Sequence, residues 1–174
     1  EKKWGTLLSL QKLIIPNIGD SRAVLGRLIN KETNEYKAIE LSRDHKPTEK
    51  DEEKRILEND GRIQPFIEDG EFVGPQRVWI KEEEVPGLAM TRSFGDYFAS
   101  IAGTISVPEV KEHILVQEDR FLVLASDGLF EFISTEEVGN IVKGYYEKND
   151  IVGCCEYLYK ESYRKWIAEE EDIS

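Results

Sequence analysis

Phe121-Leu-Val-Leu-Ala-Ser-Asp-Gly128 opens with an unbroken apolar run, Phe121 to Ala125, and closes on an aspartate followed by glycine. A continuous run of this length predicts a buried central strand. A strand end aims its side chain in a defined direction, and a following glycine lets the backbone turn away sharply. Asp127 is therefore a candidate functional carboxylate; the plain alternative is an ordinary Asp-Gly turn. Glu131 lies four residues further on. If the chain turns helical after Gly128, both carboxylates share one face; otherwise Glu131 is a surface residue.

Working outward, Leu13 to Ile18 and Arg22 to Arg27 are short apolar runs separated by Gly19-Asp20, which predicts a hairpin. Asp20 is a second candidate carboxylate at the end of an apolar run. Tyr36 to Leu41 alternates as a half-buried strand does. Glu49 to Asn59 predicts a helix with Ile56 and Leu57 as its apolar pair and Gly61 as its stop signal. Ile63 to Pro86, interrupted by Gly70, Gly74 and Pro75, reads as a long irregular surface excursion. Ser106 to Val110 and His113 to Gln117 read as two short strands, and Met90 to Tyr97 as loop or short helix. Ser134, ahead of Glu136-Glu137, is a helix cap, and Ile151 to Ile167 forms an amphipathic second helix. Strands and helices connected largely by hairpins indicate an α+β fold.

The 174 residues are 40% hydrophobic and 33% charged, with a formal net charge of −12, which suits one domain with a core. An acidic chain has no electrostatic attraction for nucleic acid or an anionic membrane, and the apolar runs are too short for a membrane span. Cys154 and Cys155 are adjacent and the only cysteines, which argues against a disulfide framework and for a reducing, intracellular compartment, cytoplasmic or nuclear. Glu1-Lys-Lys-Trp4 has no signal-peptide pattern. His45 and His113 are distant from each other and from the cysteines in sequence, so a zinc site is not indicated. Carboxylate donors without Cys or His suit Mg²⁺ or Mn²⁺, and two such ions can orient and deprotonate a water for attack on phosphorus.

Several segments occur in a telling order: Asn17-Ile-Gly-Asp-Ser-Arg-Ala-Val-Leu25, Leu41-Ser-Arg-Asp-His-Lys-Pro47, Glu53-Lys-Arg-Ile56 through Asn59-Asp-Gly-Arg-Ile63, Gly87-Leu-Ala-Met-Thr-Arg-Ser-Phe-Gly-Asp96, Ile105-Ser-Val-Pro-Glu-Val110 and Leu124-Ala-Ser-Asp-Gly-Leu-Phe-Glu131. In this order they resemble the metal-dependent protein serine/threonine phosphatases of type 2C, over most of Pro16 to Val142. The resemblance implies a four-layer αββα sandwich, two antiparallel sheets flanked by helices, incomplete in this chain. It implies hydrolysis of phosphoserine and phosphothreonine in proteins by a metal-activated water, in a monomeric catalytic domain that uses two catalytic ions and a weaker third.

Residue by residue, Asp127 with Gly128 matches the aspartate–glycine step at the catalytic metal pair. Asp20 and Glu131 match ligands of the additional, weaker site, although many relatives have Asp where this chain has Glu131. Ile63 to Pro86 matches the flap. The family's Asp-Gly-His-Gly motif and its phosphate-binding arginine are not found in this sequence. Asp172 is read as part of an acidic helix tail rather than a ligand. Residues 1–174 are thus read as a partial catalytic domain lacking the N-terminal and C-terminal metal motifs and inactive alone. The competing reading is a catalytically inactive relative that serves as a partner-binding module. His45 and Arg92 are read as structural residues.

Overall fold

In chain order the computed structural model, which describes residues 11–173, forms β1 (Lys12–Asn17), β2 (Arg22–Asn30), β3 (Glu35–Glu40), α1 (Lys50–Leu57), β4 (Gly61–Glu68), β5 (Glu71–Ile80), β6 (Pro86–Leu88), α2 (Tyr97–Ile101), β7 (Glu109–Ile114), β8 (Asp119–Ala125), α3 (Asp127–Phe130), α4 (Thr135–Tyr146) and α5 (Ile151–Ile173). Glu1–Trp4 and the side chain of Asp172 lie outside the described part.

Alternation along β2 divides the core. Val24 faces one cluster, with Phe130, Val138 and Leu158 from the helices and Ile133 from the turn between α3 and α4. Ala23 and Leu25 face another, with Leu41, Leu13, Ile15 and Leu115. β2 is the centre of the antiparallel sheet β3-β2-β8, and β1 and β7 make a two-stranded sheet against its other face. The layers are therefore helix, sheet, sheet: the α+β class, with three of the four sandwich layers among the described residues. A third sheet, β4-β5-β6, carries α1 and α2 around Ile56, Val78 and Ala102.

The helical layer shows why its sequence is helical. Ser134 accepts from the Glu137 amide while Glu137 reaches back to the Ser134 amide, a reciprocal cap that satisfies otherwise unpaired donors. Val138 and Val142 then face the core. Gly139 lies against β3, where an added Cβ would meet the Ala38 Cβ at 2.8 Å. No helix among the described residues is long and apolar enough to cross a membrane.

The structure corrects five expectations. The predicted hairpin of Leu13–Ile18 with Arg22–Arg27 does not form. β1 instead pairs with β7, from Lys12 opposite Ile114 to Asn17 opposite Glu109. The chain changes layer at Gly19-Asp20, so β1 and β2 meet face to face rather than edge to edge. Ile63 to Pro86 is not irregular but largely a long antiparallel hairpin, turned at Asp69-Gly70 with both residues at positive φ, as a two-residue hairpin turn requires. Ser106–Val110 and His113–Gln117 resolve into one strand, Glu109–Ile114. The left-handed residue after α1 is Asp60, not Gly61, which begins β4 and whose missing Cβ leaves room for the Ala102 carbonyl. Finally, among the described residues β8 is an edge of its sheet: Leu122 and Leu124 are 42% and 70% exposed. Their faces match those of Leu25 and Ala23 opposite, but the two-stranded layer that covers β2 does not cover them.

Candidate functional site

Gly19 turns the chain at φ +94°, a conformation that a side chain would strain, and presents Asp20. The turn is clamped by the segment Leu41–Pro47. The Gly19 amide donates to Nδ1 of His45 at 3.1 Å, and the His45 amide donates back to the Gly19 carbonyl at 3.0 Å. Asn17 Nδ2 donates to the Arg43 carbonyl at 2.9 Å. Two residues beyond Asp20, Arg22 forks onto both oxygens of Asp44, at 3.1 and 2.9 Å. The same guanidinium reaches Thr135 on α4 and lies 4.8 Å from the Phe130 ring centroid. Two motifs about twenty residues apart in sequence thus form one interlocked unit, and Lys46, next to His45, is delivered onto Asp20 with Nζ 2.6 Å from Oδ2.

His45 is fully buried, with Nδ1 used as an acceptor, so its proton sits on Nε2. Burial, and the nearby Arg92, push its pKa below the ordinary histidine value and keep it neutral. It is a clamp, inaccessible to a substrate. Its carbonyl accepts from both the amide and hydroxyl of Thr91, which ties in the third motif segment. Arg92 is spent within the chain, on Glu52 and on the Val107 carbonyl. Burial pulls the Lys46 ammonium down, but Asp20, Glu131 and Asp44 more than offset this and hold its pKa above the usual lysine value.

Asp127 begins α3 directly after β8, and the Glu131 amide donates to its carbonyl at 2.8 Å. The helical turn that would bring both carboxylates onto one face is therefore present, and both residues are exposed. Asp127 Oδ1 accepts the Gly128 amide at 2.9 Å, while the Gly128 carbonyl accepts the Trp166 indole N–H at 2.8 Å. That carbonyl is already engaged by α5. Among the described residues no three His, Cys, Asp or Glu side chains converge on a point that could hold an ion. By donor type Asp20 and Glu131 fit a hard cation, and Asp20 already holds one in the form of the Lys46 ammonium. Of the two residues expected at a catalytic ion pair, Asp127 presents an exposed carboxylate and Gly128 a carbonyl that already accepts from Trp166.

A large cavity, about 870 Å³, lies elsewhere, between β8 and α5, lined by Leu122, Leu124, Tyr159, Tyr163 and Trp166. It is apolar and lacks the convergent polar groups of a catalytic cleft. The residues that sequence reasoning passed over are Asn17, Asp44, Lys46 and Glu52. The first three stood inside quoted motifs without an assigned role, and Glu52 stood in a charged run that reads as surface.

The family model described as Protein phosphatase 2C matches residues 4–166. "Probable protein phosphatase 2C 72" of Arabidopsis thaliana is 41% identical over 130 residues, 75% of this chain and 38% of that protein. "Probable protein phosphatase 2C 14" of Oryza sativa subsp. japonica is 38% identical over 158 residues, 91% of this chain and 29% of that protein. The chain therefore spans well under half the length of these relatives. Among solved structures, the serine-threonine phosphatase 2C from Toxoplasma gondii superposes with a TM-score of 0.72 at 21% identity, covering 88% of this chain and 50% of the other. That likeness speaks for the fold. A family-wide match over nearly the whole chain, with relatives at this identity, carries the assignment: the chain belongs to the protein phosphatase 2C family.

Proposed function

We propose that the protein containing this chain hydrolyses phosphoserine and phosphothreonine in other proteins, using Mg²⁺ or Mn²⁺. The observation that carries the reading is the family match over residues 4–166; Asp20 and Asp127 lie within that span, in the segments whose sequence resembles the family's metal-binding motifs. Bound divalent ions supply Lewis acidity and lower the pKa of a bound water. The part of this chain is to hold and orient. Asp127 offers an exposed carboxylate at a strand-to-helix junction, with only the Gly128 amide on it among the described donors. Asp20 and Glu131 would hold a further, weaker ion, and His45 keeps the Asp20 turn rigid. Cysteine-based phosphatase chemistry has no support: Cys154 is buried, and burial pushes its thiol pKa up. The same reading places the protein inside the cell, in the cytoplasm or nucleus, in keeping with two free thiols.

The test is hydrolysis of a phosphoserine peptide by the full-length protein. Turnover is expected only with added Mn²⁺ or Mg²⁺, and Asp127→Asn should lower it by orders of magnitude. Turnover that survives EDTA overturns the mechanism. No turnover under saturating metal turns the assignment to a noncatalytic binding module. Residues 1–174 alone are expected to be inactive, since no three candidate ligands converge among the described residues.

A further inference from the structure

The contact between Lys46 and Asp20 is built rather than incidental. The two residues flank the His45–Gly19 clamp, whose backbone hydrogen bonds fix both chain segments. The Asp20 side chain is 9% exposed, so its charge has little water to turn to, and Lys46 is the one donor that reaches it among the described residues. The Lys46 ammonium in turn makes no second described hydrogen bond. Of the other carboxylates whose charge it feels, Asp44 is held through both oxygens by Arg22, and Glu131 is exposed to solvent. A buried carboxylate cannot stay charged without a counter-ion, and a lysine provides one as a compact charge on a flexible stem.

We propose that Lys46 is a tethered counter-cation that holds Asp20 when no divalent ion is bound and competes with such an ion for that carboxylate, so that Lys46 sets the metal concentration at which Asp20 loads. The proposal rests on reading Asp20 as a metal ligand. A hard divalent ion needs the carboxylate oxygens for itself and would have to displace Nζ. The Lys46 side chain, 31% exposed, can swing into solvent when displaced. The competition therefore weakens binding without abolishing it, and it protects the empty site from leaving a bare buried charge.

The experiment is Mn²⁺ titration of the full-length protein by calorimetry and by the electron paramagnetic resonance signal of free Mn²⁺, reading the weaker binding step. Wild type is compared with Lys46→Met, Lys46→Arg and Asp20→Asn, and with Asp20→Asn combined with Lys46→Met. Lys46→Met, which keeps the apolar stem and removes the charge, should bind Mn²⁺ at the weaker site about two- to fivefold more tightly. Lys46→Arg should stay near wild type. Asp20→Asn should remove the weaker binding step in both backgrounds. Mn²⁺ should also raise the melting temperature of Lys46→Met more than that of wild type. If Lys46→Met unfolds the chain, Lys46→Gln carries the same comparison. Equal or weaker binding by the uncharged variant, with Asp20→Asn still abolishing it, overturns the competition and leaves Asp20 as a ligand. Binding indifferent to Asp20→Asn in both backgrounds overturns the ligand reading itself, and the proposal with it.

Discussion

Replacing Glu52 by glutamine should unfold this chain more readily than almost any other single-atom change to a charged side chain. Glu52 is fully buried on the inner face of α1. It accepts from Arg55 at 2.6 Å, from Arg92 Nη2 at 2.5 Å and Nε at 3.0 Å, and from the Thr91 hydroxyl. The two arginine side chains are only 21% and 11% exposed. Burial pushes the carboxyl pKa up, but hydrogen bonds from Arg55, Arg92 and Thr91 outweigh it and hold Glu52 well below the usual carboxylate range. An amide keeps the volume, loses the charge, and turns an N–H₂ toward guanidinium donors. Two arginines then face each other without their shared anion.

Removing one partner of a buried ion pair typically costs about 3–5 kcal/mol. For a chain of this size that corresponds to a fall of roughly 6–20 °C in melting temperature. Urea unfolding and thermal melts by circular dichroism measure it, with the exposed neighbour Glu53→Gln as control, expected within about 0.5 kcal/mol of wild type. A Glu52→Gln loss below about 1 kcal/mol, on the scale of an exposed pair, would refute the claim that this carboxylate ties α1 to the Thr91–Arg92 segment.

Gly61→Ala should destabilise by about 1–3 kcal/mol, because the new Cβ would stand 2.5 Å from the Ala102 carbonyl and 2.7 Å from that of Ile56, neither of which is a flexible side-chain end; a melting temperature equal to wild type would show that β4 can shift. Asp119, 1% exposed at its side chain, is raised by burial but lowered more by Arg27, His113 and the Val116 amide, to about 2 from 3.8. A depressed folded pKa means that its contribution is complete above about pH 4 and is lost as the pH falls toward 2, so Asp119→Asn should flatten the stability profile in that window by roughly 2 kcal/mol; an unchanged acid profile would contradict it.

The interlock of Asn17–Arg22 with Arg43–Lys46 explains why residues of modest individual character recur together in this chain. Each motif completes the other's hydrogen bonds: His45 needs the Gly19 amide, Arg22 needs Asp44, and Asn17 needs the Arg43 carbonyl. None of these bonds involves substrate. They set the direction of Asp20, the one side chain of the turn that faces a cation.

What could be read locally was settled by neighbours a few residues apart. The alternation of Tyr36 to Leu41, the cap of Ser134 on Glu137, the helical turn from Asp127 to Glu131 and the apolar strand Phe121 to Ala125 just ahead of it all depend on short-range geometry, and all appear. The order of the motifs, likewise a property of the chain alone, pointed to the family. Partner choice was another matter. β1 and β7 pair across some ninety residues, and nothing in either strand distinguishes that edge from β2's. Ile56 and Leu57 look equivalent in sequence, yet Ile56 is fully buried, Leu57 is 56% exposed, and the residue sharing Ile56's face is Glu52. A charged side chain in a charged run carries no mark of burial, because what makes its burial tolerable is supplied by Arg55 on the same helix and Arg92, forty residues away. Lys46 follows the same logic: its role depends on the distance to Asp20, and that distance exists only after the clamp between His45 and Gly19 has closed.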